Sequence, residues 1–178
     1  MSGLAALAAL FTSDAMGEAY GEAISIRDHM LQAAELAQNQ GLGDALVAAA
    51  LLHDIGWAPA LAGAGAAHEA AGAAYLLPLF GPAVAEPVRR HVDAKRYLVA
   101  REPGYGALLS AESVRTLARQ GGPMRADEAE AFASLPSFTQ ALQLRRIDED
   151  AKSLEAPATR FEDYAPLLQR LLVNRAQL

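Results

Sequence analysis

A histidine and an aspartate stand side by side at the end of an apolar run, as His53-Asp54. A neutral imidazole offers one nitrogen to a metal ion, whereas a carboxylate has two oxygens and is able to hold two ions together. The pair therefore suggests a centre with two metal ions. Taken by itself, the dipeptide favours a solvated helix end over a metal site, because such dipeptides are common.

Donors of the same chemical type recur along the chain. Its four histidines and two of its aspartates make six candidate metal ligands: His29, His53, Asp54, His68, His91 and Asp148. One such histidine alone would also fit a core-edge imidazole. Nitrogen and oxygen donors without sulfur suit iron, manganese, nickel, cobalt or zinc better than calcium or magnesium alone. The combined pattern favours metal binding.

Helical patterns surround each of these donors. Ser25 and Asp28 resemble a capping box at the start of a helix that carries His29 and stops at Gly41. Four further helices are predicted to carry the other donors. The first is capped by Asp44 and ends in His53-Asp54, and the second is opened by His68-Glu69. The third begins at Gly81-Pro82 and carries His91 and Lys95, and the fourth runs from Phe138 to Ala151 and carries Arg145 and Asp148.

Two charged groupings carry chemical information beyond the donors. His91 and Lys95 lie four residues apart on one helix face, which makes sense if the histidine is neutral and metal-bound while the lysine faces an anion. Arg145 and Asp148 also share a face. The charged run 145–150, interpreted by itself, favours a solvated surface with weak ion pairs.

The connections are predicted from their glycine, proline and polar content. The segment Trp57–Ala67 is rich in alanine and glycine, which predicts a flexible connection able to act as a lid over a site. Two further connections are predicted, a loop over Thr12–Ala23 and a turn at Pro103–Gly106. Four further helices are predicted: a first helix over Leu4–Phe11, a helix from Ser110 to Gly121-Gly122, a short acidic helix over Ala126–Ala133, and a final amphipathic helix within Phe161–Leu178.

Composition limits the class of protein. The chain has 178 residues, 52% of them hydrophobic and 20% charged, with few aromatic residues, which predicts a single all-α domain. The net charge of −6 argues against a nucleic-acid-binding surface and favours a small-molecule role. No apolar run predicts a membrane span or signal peptide, and the lack of cysteine is compatible with a cytoplasmic location.

Five segments of the chain resemble one enzyme family. They are GEAIS at 21–25 leading to His29, LLHDIG at 51–56, HVDAKRYL at 91–98, QGG at 120–122 and LRRID at 144–148. In these segments the sequence is similar to the HD-domain oxygenases with a mixed-valent di-iron centre that cleave phosphonates, such as 2-amino-1-hydroxyethylphosphonate dioxygenase, and more distantly to myo-inositol oxygenase. The resemblance covers about residues 15–152, and the lysine after the last histidine is its most discriminating feature.

The resemblance implies an HD-domain helical bundle with a metal-site core at about 15–152. The final amphipathic helix, at about 160–176, is expected to close this bundle, which gives a single domain over 1–178. The resemblance also implies the role of each site residue. His29, His53 and Asp148 would hold one iron, His68 and His91 the second, and Asp54 would bridge the Fe(II)/Fe(III) pair. Lys95, Ser113 and Arg145 would contact the phosphonate, Glu22 the substrate ammonium, and Tyr20 the iron before substrate arrives.

The implied reaction is the oxidation by O2 of a 1-hydroxyphosphonate to phosphate and a carboxylic acid, which is glycine for the amino compound. An HD phosphohydrolase acting on a nucleotide or another phosphomonoester would use the same ligands. A degenerate HD module that binds a small anion and only signals is a third alternative, disfavoured by the complete ligand set. The sequence leaves the particular phosphonate and the oligomeric state open.

Overall fold

The computed structural model of the protein describes residues 3–19, 21–61 and 67–173. These residues contain ten α-helices: α1 (Gly3–Phe11), α2 (Ile26–Asn39), α3 (Asp44–Leu52), α4 (His68–Phe80), α5 (Pro82–Arg101), α6 (Tyr105–Leu108), α7 (Ala111–Arg119), α8 (Ala126–Ala133), α9 (Phe138–Asp150) and α10 (Ala165–Leu171). Short 3-10 turns cover Asp14–Gly17, Ile55–Trp57 and Phe161–Tyr164. The predicted all-α fold is confirmed.

Helices α3 and α9 pack against each other and against both α2 and α5, and α4 covers a further side of α5. Helix α3 is the centre of this arrangement, because every residue from Leu46 to Leu52 is buried. Its sequence is apolar on all sides, as expected for a helix enclosed by others. Helix α1 and helix α10 add residues to the same core, as the sequence predicted for Leu4–Phe11 and for the closing helix. A small second cluster lies under α8.

Hydroxyl side chains begin two helices as predicted. The Ser25 side chain accepts a hydrogen bond from the backbone N–H of Asp28 at 3.0 Å, and Ser110 accepts one from the N–H of Ser113 at 3.1 Å. Each bond satisfies a backbone donor that the helix itself leaves free. Both capped helices carry residues predicted to function: α2 carries His29 and α7 carries Ser113.

Some local predictions were wrong. Asp44 is the first residue of α3 rather than its cap: Gly43 holds that position, and the Asp44 carboxylate pairs with Arg170 at 2.8 Å. The predicted loop Thr12–Ala23 contains the 3-10 turn at 14–17, and the predicted turn at Pro103–Gly106 leads at Tyr105 directly into α6. Gly104, with φ of 86°, supplies the left-handed step before that helix.

Within the described ranges, none of the helices combines the length and the apolar character that a bilayer span needs.

Candidate functional site

Five elements deliver the six predicted donors to one place. His53 follows directly on α3, and Asp54 adopts a non-helical conformation (φ −103°, ψ 11°) that turns the chain into the 3-10 turn at 55–57. The other donors stand on α2 (His29), the first residue of α4 (His68), α5 (His91) and α9 (Asp148). The predicted donors divide into two groups of three, each with ligand atoms within 4.8 Å of one another.

The first group consists of His29, His53 and Asp148. The Nε2 atoms of His29 and His53 are 3.0 Å apart, and the Asp148 Oδ1 lies 3.2 Å from His29 Nε2 and 3.9 Å from His53 Nε2. All three residues are buried, with 7%, 0% and 6% of their surface exposed. Two nitrogens and one oxygen thus converge on a single point inside the protein.

The second group consists of Asp54, His68 and His91. The Nε2 atoms of the two histidines are 3.2 Å apart, and Asp54 Oδ1 lies 3.2 Å from His68 Nε2 and 3.8 Å from His91 Nε2. This group repeats the composition of the first, with two imidazoles and one carboxylate.

The Asp54 carboxylate stands between the two groups. Its Oδ1 faces His68 and His91, while its Oδ2 lies 3.6 Å from His53 Nε2 and 3.9 Å from His29 Nε2. The Oδ1 atom is buried, and no described group gives it a hydrogen bond of good geometry. A buried carboxylate oxygen without such a partner is costly unless a cation satisfies it.

The histidine tautomers also fit cations at these positions. In three histidines the far nitrogen, Nδ1, lies 2.7–2.8 Å from a backbone carbonyl and must donate its hydrogen to it: His29 to Ala151, His53 to Ala50 and His91 to Val88. A neutral ring whose hydrogen is on Nδ1 presents a bare lone pair at Nε2. The opposed Nε2 atoms of His29 and His53 would therefore repel one another without a cation between them.

The ionisation of His53, His91 and Asp54 is shifted in the direction that metal binding requires, whereas that of His29 and His68 is shifted the other way. Burial lowers the pKa of His91 to about 3, with nearby His68 adding to the effect, and burial likewise lowers the pKa of His53. For Asp54, burial opposes ionisation, yet His53 and His68 hold the pKa of the carboxyl well below its usual range. Burial also disfavours the charged forms of His29 and His68, but their carboxylate neighbours raise the pKa of both rings. Neutral imidazoles beside ionised carboxylates are the ligand forms.

A cavity of about 100 Å³ opens beside both groups of donors, and Lys95 projects into it. Lys95 is only 4% exposed, and its ammonium donates to Thr116 Oγ1 at 2.9 Å and to the Ser113 carbonyl at 3.5 Å. Among the described residues, no carboxylate lies within ion-pairing distance of it. Burial, and then the charge of Arg145, lowers the pKa of Lys95 to about 8.

Arg145 forms the adjoining wall of the cavity. It is 3% exposed, donates to Tyr105 Oη and Ser113 Oγ, both at 3.2 Å, and pairs with Asp148 and Glu149. The interpretation of 145–150 as a solvated surface was therefore wrong for these residues, because α9 turns this face into the bundle. It holds for Arg146, which is exposed and pairs with Glu102.

Glu22 and a cation that the sequence analysis did not single out close the cavity on a third side. The Lys152 ammonium lies 2.9 Å from Glu22 Oε1, 3.0 Å from the hydroxyls of Ser110 and Ser113, and 3.3 Å from Glu149 Oε2. The Ser110 hydroxyl also donates to Glu22 at 2.7 Å. Tyr20 lies outside the described residues.

Several residues at the site were not predicted, and for one of them the sequence contains a pattern that would have indicated its position. Thr116 follows Ser113 by three positions, which is the spacing of one helix face, whereas Lys152 lies just beyond the end of α9 and had no such signal. Trp57, assigned to a lid, instead belongs to the 3-10 turn, lines the cavity and stacks on His68. Residues 62–66 of that predicted lid lie outside the described residues.

Comparison with known proteins agrees with this arrangement. The model of the HD domain family matches residues 26–131. The chain is 36% identical over 162 residues to a [1-hydroxy-2-(trimethylamino)ethyl]phosphonate dioxygenase (glycine-betaine-forming) from Leisingera caerulea, covering 87% of this chain and 83% of that one. It is 39% identical over 150 residues to a hydroxymethylphosphonate dioxygenase from Gimesia maris, covering 75% and 70%. An uncharacterised protein of Acanthamoeba polyphaga mimivirus is 34% identical over 157 residues.

The HD model spans more than half of the chain, and the two named relatives share over a third of their aligned residues with most of it. Together with the helical fold and the six converging donors, these matches place the protein: it belongs to the HD-domain family, among the phosphonate dioxygenases, which are non-haem iron oxygenases.

Proposed function

We propose that the protein uses O2 to cleave the carbon–phosphorus bond of a 1-hydroxyphosphonate at a centre of two iron ions. The products would be inorganic phosphate and a carboxylic acid. The observation that carries this proposal is the position of Asp54, whose two oxygens face two separate sets of imidazoles. Relatives named for the same reaction class support it.

The two donor groups suggest how the ions would be held. His29, His53 and Asp148 would bind one iron, His68 and His91 would bind the other, and Asp54 would bind both. Small sets of protein donors are typical of catalytic sites, where further coordination positions are left to substrate and oxygen. A mixed-valent ferrous-ferric pair would supply the redox chemistry with O2 and bind the substrate's hydroxyl and phosphonate oxygens.

The cationic wall of the cavity is suited to the phosphonate. A phosphonate carries up to two negative charges, and Lys95 offers it an ammonium that is not paired with a described carboxylate. The Arg145 guanidinium and the Ser113 hydroxyl lie beside it and are linked to each other at 3.2 Å. The arginine provides fixed, planar donors and the lysine a point charge, so together they would fix the C1 carbon beside the metal-binding residues.

The substrate's other end would lie towards Glu22. The carboxylate lines the same cavity, so it is a candidate partner for an ammonium group on the substrate. Its present partners are the Lys152 ammonium and the Ser110 hydroxyl. The two named relatives differ in this part of the substrate, since one name contains a trimethylamino group and the other does not.

The reaction balances with one O2 for each phosphonate. Oxidation of 2-amino-1-hydroxyethylphosphonate by one O2 yields glycine and inorganic phosphate, with no other reductant consumed. The test is anaerobic loading of the protein with Fe(II), limited oxidation to the mixed-valent state, and then a panel of hydroxymethyl-, 2-amino-1-hydroxyethyl- and 1-hydroxy-2-(trimethylammonio)ethylphosphonate. We expect oxygen uptake and phosphate release in a 1:1 ratio with at least one of them.

Two further measurements sharpen this test. Electron paramagnetic resonance of the loaded protein is expected to give the signal of a coupled ferrous-ferric pair. Asp54→Asn should abolish turnover, whereas Asp150→Asn, which changes an exposed carboxylate two positions beyond Asp148, should leave it intact. Oxygen-independent hydrolysis of phosphate esters with manganese or cobalt, and no turnover of the panel, would instead establish a phosphohydrolase.

A further inference from the structure

His68 differs from the other three candidate histidines in how it is held. Those three place Nδ1 against a backbone carbonyl of a neighbouring segment or of the preceding helical turn. The Nδ1 of His68 instead lies 3.1 Å from a side-chain carboxylate, that of Glu69. His68 also has the most exposed side chain of the four, at 11%. Its orientation therefore depends on side chains, which rotate more freely than backbone carbonyls within a helix.

The face of the His68 ring is covered by Trp57. The two ring centroids are 4.5 Å apart and the planes differ by 11°, so the rings are stacked. The indole lies on one side of the imidazole, and the Glu69 carboxylate holds its edge. Together these contacts direct Nε2 towards Asp54 and His91, each 3.2 Å away.

Two glycines make this stack possible. A Cβ atom on Gly56 would lie 1.9 Å from the carbonyl oxygen of His68 and 2.8 Å from the backbone nitrogen of Gly72. A Cβ atom on Gly72 would lie 3.2 Å from the Gly56 nitrogen. The 3-10 turn 55–57 consequently packs backbone to backbone on the first turns of α4, which sets the indole of Trp57 over His68.

From this geometry we propose that Trp57 and Glu69 are positioning residues for His68 and thereby set the affinity of the second metal position. Loss of either contact allows the His68 ring to turn away, which leaves that position with fewer donors. The first position is built from other residues, His29, His53 and Asp148, and keeps its affinity. Residues that orient a ligand through its far nitrogen typically change metal affinity on the order of 10- to 100-fold.

The experiment measures metal binding rather than turnover. Metal-free protein is titrated with Co(II) under anaerobic conditions, with bound metal determined by equilibrium dialysis and elemental analysis. Trp57 is the only tryptophan of the chain, so its fluorescence in the unmodified protein is expected to change as the second position fills. We expect two ions per chain, with the second bound on the order of 10- to 100-fold more weakly in Trp57→Leu and in Glu69→Ala.

Matched variants separate positioning from folding. Trp57→Phe retains an aromatic ring for stacking and Glu69→Gln retains an acceptor for Nδ1. Both should therefore bind the second ion within about threefold of the unmodified protein, well below the 10- to 100-fold weakening of a lost contact. Far-ultraviolet circular dichroism and an unchanged first binding step establish that each variant is folded. The proposal would be overturned if Trp57→Leu bound both the first and the second ion as tightly as the unmodified protein does. It would also be overturned if Glu69→Ala bound both ions more weakly by the same factor.

This inference rests on the two-ion centre proposed above, and the titration distinguishes the two failures. Unmodified protein that binds a single ion would refute the two-ion centre. Two ions bound equally well by the unmodified protein and by Trp57→Leu would refute only the positioning role.

Discussion

Replacement of Lys95 by methionine tests the phosphonate-binding role most directly. Methionine is close to lysine in length and also unbranched, so it fills the buried position while it removes the ammonium. That ammonium belongs to a residue that is 4% exposed, and it donates to a hydroxyl and a carbonyl rather than to a carboxylate. Its charge is thus available to the substrate.

The magnitude follows from the contact that is lost. A hydrogen bond to a charged group contributes about 1.5–3 kcal/mol, and each 1.4 kcal/mol corresponds to a factor of ten. We therefore expect kcat/KM for the phosphonate to fall roughly 10- to 150-fold in Lys95→Met. Arg101→Met, at the exposed end of the same helix α5, should change it less than about twofold, as is usual for surface substitutions.

The pH profile adds a signature that a packing defect would not produce. Lys95 has a pKa lowered to about 8, so in the free protein its charge is present below that pH and is lost above it. The ratio of kcat/KM between the unmodified protein and Lys95→Met should consequently fall as pH rises through about 8. Ionisation of the substrate affects both proteins alike and cancels in this ratio.

The assay is oxygen uptake with iron-loaded protein over a pH range that brackets this pKa on both sides. A loss of less than about threefold in Lys95→Met, well below the range of a lost charged contact, together with a ratio that does not vary with pH, would refute the assignment of Lys95 to the phosphonate.

The remaining predictions concern the metal ions and the specificity of the cavity. Asp54→Asn should reduce the bound iron, measured by elemental analysis, from two ions per chain towards one. The reason is that the Asp54 carboxylate contributes to both donor groups. Two tightly bound ions in this variant would contradict a bridging role. Removal of metal by a chelator should lower the melting temperature of the protein by about 5–11 °C. An ion at a hundred times its Kd stabilises the folded protein by about 2.7 kcal/mol, and 1 kcal/mol shifts the melting temperature of a domain of this size by about 2–4 °C. Equal melting temperatures with and without metal would contradict metal binding by the folded protein. Lys152→Met removes the cationic partner of Glu22 and leaves the Ser110 hydroxyl in place. The preference for the aminohydroxyethyl substrate over hydroxymethylphosphonate, measured as the ratio of their kcat/KM values, should therefore rise about fivefold, the equivalent of the roughly 1 kcal/mol of a partly exposed ion pair. An unchanged ratio would show that Glu22 does not meet the substrate's cationic end.

The helices and their donors were predictable because local chemistry determines them. Ser25 and Ser110 begin helices through bonds to residues three positions away, and the apolar run before His53 is enclosed in the bundle as its composition requires. The identity of the imidazole donors also follows from the sequence, because only four histidines are present. These features need no knowledge of distant contacts.

The environment of the charged residues was not predictable in the same way. Arg145 and Arg146 are adjacent in the sequence, yet the first is buried against Asp148 and the second is exposed beside Glu102. Which of the two faces inward depends on the rotation of α9 against α5, and that rotation is a property of the packed bundle. Lys152 likewise acquires its partners from three separate parts of the chain: the loop before α2, the start of α7, and α9.

The sequence alone determined the all-α class, the six donors and the family resemblance, since these reside in residue types and short spacings. The tertiary structure decided that Asp54 stands between two pairs of imidazoles, that Lys95 lacks a described carboxylate partner and that Trp57 stacks on His68. The physical reason is that each of these properties is a distance between atoms on different helices. Such distances arise only when the apolar faces have packed and fixed the helices relative to one another.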